Sequence, residues 1–199
     1  MNCKLSVQHG FTMLEVLVAL LILLIGLLGL AGLLVQTQQG EVEAYQRKQA
    51  AVLLQDMIDR ITANPKAAGA AGSCYAFTTN TATGSPSLGT GNAVNATFAC
   101  GAGSASQQAR GAADLLAWNN ALLGTSERVG TSTTYIGGII DARGCVSTTV
   151  SEFYTMSVAW KGLQPTVAPP ATQNCGKDQY GDERLRRVIS VTIRIATLT

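Results

Sequence analysis

The chain has 199 residues, 14 Lys and Arg against 12 Asp and Glu, and one histidine, His9. So near-neutral a balance gives no electrostatic argument for nucleic acid, which is met by clustered cations. Beyond His9 there is no histidine for a Ser–His or Cys–His nucleophile pair or for a histidine metal site, so the sequence offers no catalytic residues and no metal.

The first ten residues, Met1–Gly10, carry Lys4 and no acid. From Phe11 to Val35 the only charged side chain is Glu15, and the rest is mostly Leu, Val, Ile, Ala and Gly. A helix rising about 1.5 Å per residue needs roughly 20 residues to cross a hydrocarbon core, so this stretch is long enough to span. A carboxylate in such a segment costs about 2.5–3.5 kcal/mol on insertion scales and calls for a partner or a function. Lys4 and the amino terminus precede the span, and the next basic residue is Arg47. That bias puts the leader in the cytoplasm and residues 36–199 across the membrane. Gly26, Gly29 and Gly32 weaken the helix locally and let another helix come close.

The run Gly10-Phe11-Thr12-Met13-Leu14-Glu15, opening a long apolar helix, resembles the class III prepilin signal of type IV pilins and pseudopilins. The resemblance implies that a prepilin peptidase cuts between Gly10 and Phe11 and N-methylates Phe11. It also implies that Glu15 pairs with a neighbouring subunit's amino terminus during assembly, which would offset its desolvation. An ordinary secretory signal would be cut after the apolar run, where Leu30-Ala31-Gly32 is a poor site. A plain single-span anchor leaves Glu15 unexplained. The implied organisation is a leader over 1–10, a transmembrane and assembly segment over 11–35, and a periplasmic globular domain over 36–199.

Past Gln36 the composition turns polar while helix formers continue. Leu54, Met57, Ile58 and Ile61 recur at helical spacing, with Asp56, Asp59 and Arg60 facing away. Asn64-Pro65 ends the element. A helix from Phe11 to about Ala63 would be roughly 80 Å long, greasy all round at first and amphipathic later. Ala67 to Gly103 reads as a long loop with short extended pieces, and Asn95-Ala96-Thr97 is a weak glycosylation sequon. Gln107 to Leu123 reads as a second helix with Leu115, Leu116, Trp118, Leu122 and Leu123 on its apolar face and Gly124 as cap.

The last third reads as β. One strand is expected from Thr134-Tyr135-Ile136 to Ile139-Ile140, a turn at Asp141–Gly144, and a second strand over Cys145–Val150. Phe153–Trp160 alternates, with Tyr154, Met156, Val158 and Trp160 on one face. A loop with Pro165, Pro169 and Pro170 closes at Cys175, and Ile189, Val191, Ile193 and Ile195 alternate with polar residues. The expected architecture is α+β: a pilin fold with its long helix packed on a C-terminal antiparallel sheet, stapled by disulfides.

Cys3 leaves with the leader, and Cys74, Cys100, Cys145 and Cys175 remain, an even number suited to an oxidising compartment. Three pairings are open, of which Cys74–Cys100 with Cys145–Cys175 is the simplest. Each such loop would be worth about 3–4 kcal/mol in the chain-entropy model. Asp178, Asp182 and Glu183 cluster in one loop, but their spacing departs from a calcium-binding EF-hand loop. Arg184, Arg186 and Arg187 form the one basic knot.

The opening Phe11–Leu20, the Asp114–Trp118–Leu122 helix and the Tyr154-x-Met156-x-Val158-x-Trp160 strand resemble minor pilins. That implies a structural subunit with no cofactor, which primes pilus assembly at the inner membrane and then sits at or near the tip of a surface pilus. Its implied partners are other minor pilins, the major pilin, the prepilin peptidase, the inner-membrane assembly machinery and a large tip adhesin. A minor pseudopilin of type II secretion shares the same signal and fold. A tip-exposed module binding DNA or a surface receptor is the alternative of another class.

Overall fold

The computed structural model describes residues 10–69, 73–77, 79, 83–91, 100–127, 137–150 and 152–196. The chain divides into two compact units, Met1–Val42 and Glu43–Thr199.

Helix α1 spans Met13–Thr62, so its first 30 residues belong to the first unit and Glu43–Thr62 to the second. It starts two residues later than the apolar pattern suggests, because Thr12 caps it from outside. The Glu15 amide is 3.2 Å from the Thr12 hydroxyl, and the Glu15 and Val16 amides reach the Thr12 carbonyl at 3.1 and 3.3 Å. These bonds satisfy donors that a helix start otherwise leaves bare. Within the first unit the helix runs unbroken through Gly26, Gly29 and Gly32, with open space around each.

The second unit is a four-stranded antiparallel sheet in the order β1 Leu88–Gly89, β2 Arg143–Val150, β3 Phe153–Lys161, β4 Arg186–Arg194. Its core joins three sources. Ala50, Leu54, Met57 and Ile61 come from α1; Leu115, Trp118 and Leu122 come from α2 (Ala105–Leu123); Tyr154, Met156, Val158 and Trp160 come from β3. The β3 alternation puts all four of the expected side chains inside. Helix α2 is bounded by a capping box at Ser104 and Gln107 and by left-handed Gly124 at φ 65°. It sits so close to β2 that a Cβ on Gly144 would clash with the Trp118 ring.

Three strand expectations change. Residues 137–140 form a turn leading into Asp141, not a strand; Thr134–Ile136 lie outside the described residues, as does the Asn95 sequon. The Gly137-Gly138 backbone packs directly on Gly124 at the end of α2, and its geometry serves that contact rather than a ladder. β2 therefore starts at Arg143, inside the stretch read as a turn. β1 was not expected; Asn119 of α2 holds it by accepting the Gly89 amide at 2.9 Å.

Candidate functional site

The first unit, over residues 11–35, has Glu15 as the one charged side chain on an otherwise apolar surface. Its most apolar 18-residue window has mean hydropathy 3.0 and none of it is buried. Gly10, Phe11 and Thr12 precede the helix, and Phe11 is 84% exposed. The Gly10–Phe11 peptide bond thus lies in open, non-helical backbone. Glu15 sits in the first turn, where the helix dipole favours a carboxylate. With Thr12 outside the helix and Glu15 three residues on, Thr-x-x-Glu has the spacing of a capping box, and the Thr12 half of it is formed. Sequence reasoning treated Thr12 as part of a recognition motif and missed this local role; the three-residue spacing to Glu15 was itself the available signal.

In the second unit the four cysteines form Cys74–Cys100 and Cys145–Cys175. The first ties the stretch after α1 to the approach to α2. The second ties β2 to the loop between β3 and β4.

The acids and arginines of that loop neutralise one another. Arg184 grips Asp182 at 2.8 Å, and Arg186 grips Glu183 at 2.6 Å. Arg187 reaches Glu43 of α1 at 3.1 Å, and the same Glu43 oxygen accepts the Leu163 amide at 3.1 Å. Hydrogen bonding from Arg184 holds the Asp182 carboxyl below its ordinary range. For Glu183, burial pushes upward but is outweighed by hydrogen bonds from Arg186 and the Asp178 amide, so its carboxyl is also lowered. Arg186 is 1% exposed and also donates to the carbonyls of Gln173 and Cys175, at 2.7 and 3.2 Å. The cluster is a clamp on the loop. The Asp182 and Glu183 carboxylates are already engaged, and among the described residues no three His, Cys, Asp or Glu gather as a metal site.

A second polar network went unread in the sequence. Asp114 lies on the buried face of α2 and accepts the Tyr75 hydroxyl at 2.7 Å and Arg60 at 3.3 Å. Asn64 donates to the Tyr75 hydroxyl at 3.0 Å and to the Gln107 carbonyl at 2.9 Å. Burial, reinforced by Asp114, pushes the Tyr75 phenol well above its ordinary value. Asp114 standing among Leu115, Trp118 and Leu122 was the one sequence signal of this network. Trp118 is a core residue whose indole donates to the Leu53 carbonyl at 2.8 Å.

No curated protein and no solved structure matches this chain. Residues 5–31 match the model of the prokaryotic N-terminal methylation motif, which covers the Gly10–Glu15 segment and most of the exposed apolar helix. A prepilin-type motif leading into an apolar helix, followed by a helix packed on a disulfide-stapled antiparallel sheet, supports a membrane-anchored protein of the type IV pilin and pseudopilin class.

Proposed function

We propose that the chain is a minor pilin of the PilV kind. Its leader, residues 1–10, is removed between Gly10 and Phe11 by the prepilin peptidase, and Phe11 becomes the N-methylated terminus. Residues 11–35 anchor it in the inner membrane with 36–199 in the periplasm. They then leave the bilayer to pack among like helices, where Glu15 meets a neighbour's amino terminus. The subunit primes assembly with other minor pilins and the assembly machinery, joins the major pilin in a surface filament, and helps hold a tip adhesin.

The observation that carries this reading is the Glu15 carboxylate, the one charge in the exposed apolar stretch 11–35, one turn past a start capped by Thr12. Once a bilayer or neighbouring helices cover this stretch, such a charge is stable only with an opposite charge beside it, and an assembly of like helices would supply one from a neighbour's amino terminus. The type II secretion pseudopilin reading shares all of this and separates from it by the machine that the subunit joins. The DNA-binding reading has less support, because Arg184, Arg186 and Arg187 are each engaged by a carboxylate of the chain.

Intact mass and N-terminal sequence of the protein from its native membrane, with and without the peptidase, test the proposal. A peptidase-dependent start at N-methyl-Phe11 is expected. A retained Met1 would make the protein a simple anchored one and remove the filament mechanism.

A further inference from the structure

The second unit carries a cleft of about 570 Å³, walled by residues 43–47 of α1, by residues 166–173 of the loop after β3, and by the start of β4. That volume falls within the range of small-ligand sites, about 300–1,000 Å³. Pro165, Pro169 and Pro170 deprive the loop of amides for a ladder, and residues 165–170 form neither helix nor strand. The loop therefore stands as a wall beside the sheet instead of joining it.

Charge on these walls does not balance. Three arginines line the cleft, Arg47, Arg186 and Arg187, against one acid, Glu43. Arg186 is paired with Glu183 at 2.6 Å, and Arg187 with Glu43 at 3.1 Å. The same Glu43 oxygen accepts the Leu163 and Gln164 amides, so that acid is committed to the loop and to β4. Arg47 is left over. It is exposed, and among the described residues no hydrogen bond or ion pair engages it. A charge set in a concave wall with apolar sides is less screened than one on open surface. A further donor of the lining, the buried indole N–H of Trp160, also has no acceptor among the described residues. Beyond the arginines the walls are largely apolar, and Val167 is 91% exposed.

We infer that this cleft binds a compact monocarboxylate with an apolar body, its carboxylate on the Arg47 guanidinium and its apolar part against Val167 and the proline wall. One uncompensated positive charge matches a monoanion and not a dianionic phosphate. A carboxylate accepts only, and the planar guanidinium offers it paired donors. The same chemistry is presented by a free acid and by the C-terminal residue of a peptide. The site goes beyond the pilin reading and does not depend on it, since every residue invoked lies in the second unit.

The test is a titration of the full chain in detergent with N-acetyl-leucine, read on the Trp160 indole and Val167 methyl resonances. Saturable shifts are expected. Arg47→Gln should weaken binding about tenfold or more, the share of a charge-assisted hydrogen bond. Lys48→Gln should leave it unchanged, because Lys48 carries the same charge one residue on but lies outside the lining. N-acetyl-leucine amide, the same body without the charge, should bind about tenfold more weakly or not at all, a comparison that needs no variant. An acetylated tetrapeptide ending in leucine that binds more tightly than N-acetyl-leucine identifies a chain terminus as the ligand, and equal binding identifies the free acid. Shifts that fail to saturate, that the amide reproduces, or that survive Arg47→Gln undiminished overturn the site.

Discussion

The two ends of α1 treat apolar side chains in opposite ways. Over Met13–Val42 they recur on every side and none is buried; over Glu43–Thr62 they narrow to one stripe, Ala50, Leu54, Met57 and Ile61, which disappears into the core. The difference lies in what supplies the cover. The second stretch carries its cover in its own chain, as a sheet and a second helix. Among the described residues the first carries none, and a bilayer or other helices would provide it. Polar groups divide the same way. Arg60, Asp114 and Tyr75, or Arg186 and Glu183, find one another inside the chain, whereas among the described residues the Glu15 carboxylate meets no opposite charge.

The sharpest way to break that contrast is at Glu15. Glu15→Ala should still insert, since it removes a charge that costs about 2.5–3.5 kcal/mol in a membrane helix. It should nevertheless lose most of its incorporation into filaments, measured as the fraction of chain in sheared material. Normal incorporation would mean that the carboxylate has no partner in the assembly. The opposite case is Arg186, whose partners are internal. Arg186→Ala leaves the carbonyls of Gln173 and Cys175 without this donor and Glu183 with only the Asp178 amide, at a cost of about 3–5 kcal/mol, seen as a lowered denaturation midpoint. Arg184→Ala, two residues away but solvent-exposed, should leave the midpoint unchanged. Equal effects from the two would argue that the clamp is not what holds the loop.

A smaller effect concerns pH. Burial raises the phenols of Tyr75, Tyr154 and Tyr180 above the ordinary value of about 10. The folded state therefore keeps protons that the unfolded chain releases above that pH. The resulting stability is complete below about pH 10 and is lost as pH rises through the folded values. The denaturation midpoint of the full chain should stay level through neutral pH and fall beyond pH 10, with a shallower fall in Tyr75→Phe. A midpoint level throughout would place these phenols in water.

These elements were legible in unequal measure, and the reasons are physical. The apolar run, the α1 stripe and the β3 alternation are local periodicities, and sequence displays them directly. The turn at Gly137–Asp141 was hidden because Ile139-Ile140 has strand-forming side chains, while the deciding contact, with Gly124 at the end of α2, comes from elsewhere in the chain. β1 is too short to show any period. The Asp114 network joins residues 39 and 54 positions apart, which no window connects. β4 showed its alternation but not its exposure, since being an edge is a property of the sheet and not of the strand.

The least effect, and the one that most narrowly separates two roles within one motif, is expected at Thr12. If Thr12 serves only as a helix cap, Thr12→Ser keeps the hydroxyl that accepts the Glu15 amide, and Thr12→Ala removes it. The loss is worth about 0.5–2 kcal/mol and is confined to the first turn, because the rest of α1 keeps its own ladder. Amide exchange at Glu15 and Val16 should then quicken in Thr12→Ala, stay unchanged in Thr12→Ser, and leave the core stripe from Ala50 to Ile61 untouched in both. Cleavage between Gly10 and Phe11 gives the second readout. A substitution that frays the first turn without slowing cleavage shows that the peptidase reads extended backbone ahead of the helix. One that slows cleavage in step with fraying shows that the enzyme needs the helix start held in place, so that capping and processing are one requirement expressed by the same hydroxyl.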